Sequence, residues 1–107
     1  MITLYIDTSD SSKTTVALIV DEVRKEYIEV TDKETKSQNI LPLIENALQS
    51  EKLALKDLTA IQVYPGPGSF TGVRVGVTVA NTLGWILKIP VNGKKIEIPV
   101  YEPSKFD

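Results

Sequence analysis

The 107-residue chain has no cysteine and no histidine. The first absence excludes disulfides, thiolate nucleophiles and zinc–thiolate centres, and the second removes the commonest general base and metal ligand. No apolar run approaches the roughly 18 residues that a membrane helix requires, so no membrane partner is expected. Neither sign of charge dominates: twelve basic residues face fourteen acidic ones, and the lysines are scattered apart from Lys94 and Lys95. A net charge of -2 gives little support to autonomous nucleic-acid binding through phosphate neutralisation. The opening MITLYIDTSD lacks a basic start, a long apolar centre and a small-residue cleavage site, so it reads as a strand rather than a signal peptide, and the cytoplasm is the expected location. Carboxylates, hydroxyls, lysine, arginine, tyrosine and backbone amides are left to build a site.

The length prior gives one domain over residues 1–107. ITLYID (2–7), TTVALIV (14–20) and RKEYIEVT (24–31) read as a three-stranded meander, broken by the turn-forming TSDSSK and by Asp21 and Glu22. The period then changes. Ile40, Leu41, Leu43, Ile44, Ala47 and Leu48 recur on one helix face, with a start near Asn39 or a kink at Pro42, because a proline deep inside a helix costs about 3 kcal/mol. LALKDL (53–58) predicts a short helical turn leading into a strand, TAIQVY (59–64), reached by a crossover. Beyond it, Val73, Val75, Val77 and Val79 alternate as in a strand. Gly72, Gly76, Ala80 and Gly84 instead fall at four-residue steps along one helix ridge. Helix is the choice for 70–87, since glycines at about 1 kcal/mol each imply a compensating close approach. Asn92 and Gly93 form a turn within a C-terminal hairpin or tail, 92–107.

Two stretches could carry chemistry. In IDTSDSSKTT, Asp7 at a strand end could hold a cation while Thr8, Ser9 and the turn amides meet a phosphate; the ordinary reading, a turn satisfied by its own side chains, is the stronger. PGPGSFTG fails both the P-loop and the GxGxxG patterns. Gly66, Gly68 and Ser69 could aim amides at an anion, or Ser69 could simply cap a helix, and the residues leave these two readings open.

IDTS, SQNILPLIENAL, LALKDLTAIQV, GPGSFTGVRVG and KIPV resemble, in order and spacing over residues 2–91, the TsaB (YeaZ-type) family of the glycoprotease-like group. The resemblance implies an α/β, actin-like or ribonuclease H-like single lobe: a mixed five-stranded sheet, made of an antiparallel meander plus parallel strands, with two main helices. It also implies a non-catalytic role in making threonylcarbamoyladenosine in tRNA. A TsaD-like catalytic subunit would be met through the two helices, a TsaE-like ATPase would join through that complex, and tRNA would be contacted only indirectly. The interface expected from this comprises Leu41, Ile44, Glu45 and Leu48 on the first helix, and Gly72, Val73, Gly76, Val77, Ala80, Leu83 and Gly84 on the second.

Two features depart from the family pattern. Lys36 stands where the family often has histidine, so no metal role carries over. Family members usually have two actin-like halves, whereas this chain ends after the first; IPVYEPSKFD resembles a family terminus, which gives the expectation of a short protein. Since actin-like folds clamp ATP between two lobes, no intrinsic cofactor is expected, and ATP or ADP would be contacted only at a subunit junction. The competing expectations are a nucleotide-hydrolysing lobe using Asp7, and a structural domain that forms a homodimer through the same helix pair when alone.

Overall fold

The computed structural model describes residues 1–10, 12–30, 36–68 and 70–94. β1 (Ile2–Asp7), β2 (Lys13–Val20) and β3 (Val23–Val30) form the expected meander. Only Asp21 and Glu22 join β2 to β3, both at positive φ (49° and 72°), the backbone a two-residue hairpin needs to match the twist of its strands. Both antiparallel ladders run without a bulge, from Ile2↔Val20 to Asp7↔Thr15 and from Lys13↔Val30 to Val20↔Val23. β4 (Ala60–Val63) lies parallel to β1 on its other side, giving the order β3-β2-β1-β4.

Between β3 and β4 run α1 (Lys36–Ser50) and a single 3-10 turn, Leu55–Asp57, whose Asp57 carboxylate accepts a hydrogen bond from Ala54 N at 2.8 Å. α1 begins at Lys36, ahead of the expected Asn39, so Pro42 lies inside the helix on its exposed side. Burial explains the tolerance. Ile40, Leu43, Ile44, Ala47 and Leu48 all enter the core, and each large apolar side chain contributes about 1.5–3 kcal/mol, enough to offset one lost helical bond.

α2 (Phe70–Leu87) is helical throughout despite its alternating valines. Its buried side carries Gly72, Gly76, Ala80, Leu83 and Gly84. On the sheet, Leu4 pairs with Leu18 and Ile61, and Ile6 with Val16 and Val63, which places all six on one face. These six share a single core cluster with the buried residues of both helices. α1 covers β2 and β3 while α2 covers β1 and β4 on that face.

The expected five-stranded sheet has four strands among the described residues. Val91 makes only an isolated parallel bridge to Ile61, with Ile61 N donating to Pro90 O (2.9 Å) and Asn92 N to Ile61 O (2.8 Å). Asn92 (φ 53°) and Gly93 (φ 78°) then turn the chain back, closing the predicted turn through the Val91–Lys94 bridge. The Asn92 side chain continues the ladder: Val63 N donates to Asn92 Oδ1 at 2.8 Å and Asn92 Nδ2 donates to Val63 O at 3.0 Å. A side-chain amide therefore stands where a fifth strand would supply its next peptide group. The remainder of the 92–107 hairpin or tail lies outside the described residues.

Candidate functional site

The end of β1 and the glycine loop, far apart in sequence, meet in space. A Cβ built on Gly68 would lie 2.6 Å from Ser9 Cβ and 2.9 Å from Ser9 O, so only glycine permits this approach of loop to turn. Gly66 holds φ +112°, a second position that disfavours a side chain. Of the residues proposed from sequence, Asp7, Thr8, Ser9, Gly66 and Gly68 are brought together, whereas Ser69 lies outside the described residues.

The side chains of Asp7, Thr8 and Ser9 are hydrogen-bonded within the protein. Asp7 Oδ1 accepts from Ser9 N (2.9 Å) and from Ser9 Oγ (2.6 Å), a local turn closed on itself. Thr8 is fully buried. Its hydroxyl donates to Gly72 O and accepts from Gly76 N (3.0 Å). Those two backbone groups, four residues apart, are the pair a regular α-helix joins directly, so Thr8 bridges the first turns of α2 and ties them to β1. This corrects the reading of Thr8 as an anion contact. Both faces of its hydroxyl are occupied within the protein.

The glycine ridge is also reassigned. Gly76 faces β1: an added Cβ there would collide with Thr8 Oγ1 and lie 3.3 Å from Ile6 Cγ2. Gly72, Ala80, Leu83 and Gly84, with Ile44 and Leu48 of α1, are buried in this lobe. At Gly76 the close backbone approach inferred from the glycines exists, and it is an approach to the protein's own sheet. Among the other expected interface residues, Leu41 and Glu45 are exposed, and Val73 and Val77 are half-buried.

Reasoning from the ridge overlooked Trp85 and Ile86, which are 54% and 61% exposed at the C-terminal end of α2. The signal was present. Trp85 stands nine residues after Gly76, and at about 100° per residue it emerges on the opposite side of the helix. Leu41 of α1 is likewise about half exposed, so these three large apolar side chains of the two α-helices stand open.

The opposite face of the sheet presents Tyr5, with the Arg24 guanidinium 4.5 Å from its ring centroid. Burial, then the nearby Asp7 charge, raises the Tyr5 pKa above 10.0, with Arg24 acting the other way. Among the described residues no cluster of three carboxylates is placed to hold a metal ion.

The family model described as TsaD, tRNA N6-adenosine threonylcarbamoyltransferase, matches residues 28–94, from the end of β3 through both helices. The chain belongs to the TsaD family. Within the family it is of the TsaB/YeaZ type: it is 42% identical over 92 residues to the tRNA threonylcarbamoyladenosine biosynthesis protein TsaB of Bacillus subtilis, covering 86% of this chain and 40% of that one. It is 36% identical over 90 residues to TsaB of Escherichia coli, covering 84% and 38% of the two chains. The solved YeaZ from Pseudomonas aeruginosa superposes with a TM-score of 0.78 at 33% identity, over 85% of this chain and 43% of that one. This TsaB/YeaZ-type chain thus spans about two fifths of the length of the curated relatives it matches, and its actin-like lobe is shared with the solved structure.

Proposed function

We propose that this lobe is a non-catalytic partner subunit in the formation of threonylcarbamoyladenosine in tRNA, docking on a TsaD-like catalytic subunit through the outer faces of α1 and α2. The observation that carries the reading is the exposure of Leu41, Trp85 and Ile86 on helices whose inner faces are already filled by the lobe's own core. Aromatic anchors of this kind dominate the energetics of protein interfaces. The names of the relatives point to this pathway.

The reading assigns no independent catalysis and no intrinsic cofactor. One Asp7 carboxylate oxygen is held by Ser9, and the Thr8 hydroxyl is held by α2, which favours ATP or ADP contact only where a second subunit adds groups. A TsaE-like ATPase would be met through the assembled complex and tRNA only indirectly, in the cytoplasm. No described helix is long and apolar enough to cross a membrane.

The test is to mix the purified chain with the TsaD-like protein of the same genome and measure complex formation, then restoration of tRNA modification. Trp85→Ala should weaken the complex at least tenfold while leaving the thermal midpoint of the isolated chain within about 2 °C. Absence of any complex, or an affinity indifferent to Trp85, Ile86 and Leu41 together, would overturn the docking assignment.

A further inference from the structure

We draw no further inference here: the strongest candidate, the sheet face opposite the helices, where Tyr5, Gln62, Tyr64 and Asn92 line an open pocket, carries no proposal because nothing in the structure shows what covers it.

Discussion

Substituting Gly76 tests the central joint of the lobe, because its effect should reverse sign with the identity of residue 8. In an open helix interior Gly→Ala stabilises by about 1 kcal/mol. Here the new methyl would meet Thr8 Oγ1 and approach Ile6 Cγ2, a buried collision of the kind that costs about 1–3 kcal/mol. It would also disturb the hydrogen bond from Gly76 N to Thr8 Oγ1 (3.0 Å), worth about 0.5–1.5 kcal/mol net. The balance is a loss of about 0.5–3.5 kcal/mol for Gly76→Ala. In a Thr8→Ala background the hydroxyl is gone and the remaining contacts can relax, so the same substitution should become neutral or stabilise by up to about 1 kcal/mol. Urea unfolding of the four proteins of this cycle measures the coupling, and each kcal/mol should move the thermal midpoint by about 4 °C. An equal effect of Gly76→Ala in both backgrounds would refute the packing of α2 on Thr8. Gly76→Leu, which puts a larger side chain at the same collision, should likewise destabilise the lobe itself.

Further outcomes follow from other contacts. Asn92→Ala removes both bonds to Val63 and leaves a β-edge peptide unpaired, so it should cost about 1–3 kcal/mol by urea melt and speed amide exchange at Val63. Gly68→Ala drives a methyl against Ser9 backbone atoms that cannot swing aside, and should lower stability by about 1–3 kcal/mol in the same assay. Tyr27 should titrate above its ordinary 10.0, first through burial and then through its hydrogen bond to Glu51 (3.1 Å), and Tyr5 above 10.0 through burial and Asp7. A phenol whose folded pKa is raised adds stability that is fully present below the unfolded value and lost as pH rises through the folded one, so stability should fall above about pH 10. Absorbance titration at the phenolate band, with Tyr27→Phe as reference, checks the assignment.

The meander, the first helix, the crossover and the Asn92–Gly93 turn were legible because each rests on local chemistry: alternation, a single helical face, or residues suited to positive φ. The sequence left the start of α1 open between Asn39 and a helix running through Pro42, because the local penalty for Pro42 was weighed without the core burial that offsets it. In α2 the alternating valines and the glycine ridge pointed to different structures, and the need for a close backbone approach identified the helix correctly. What no local pattern contains is direction. A four-residue ridge of small residues looks the same whether it faces a partner or its own sheet, and only the packing of Gly76 on Thr8, two positions 68 residues apart, turns the ridge inward and Trp85 outward. The same holds at Thr8: its hydroxyl was written in the chain, but tertiary contact decided that it is held by the first turns of α2, whereas the Asp7–Ser9 turn is local and was legible in the sequence.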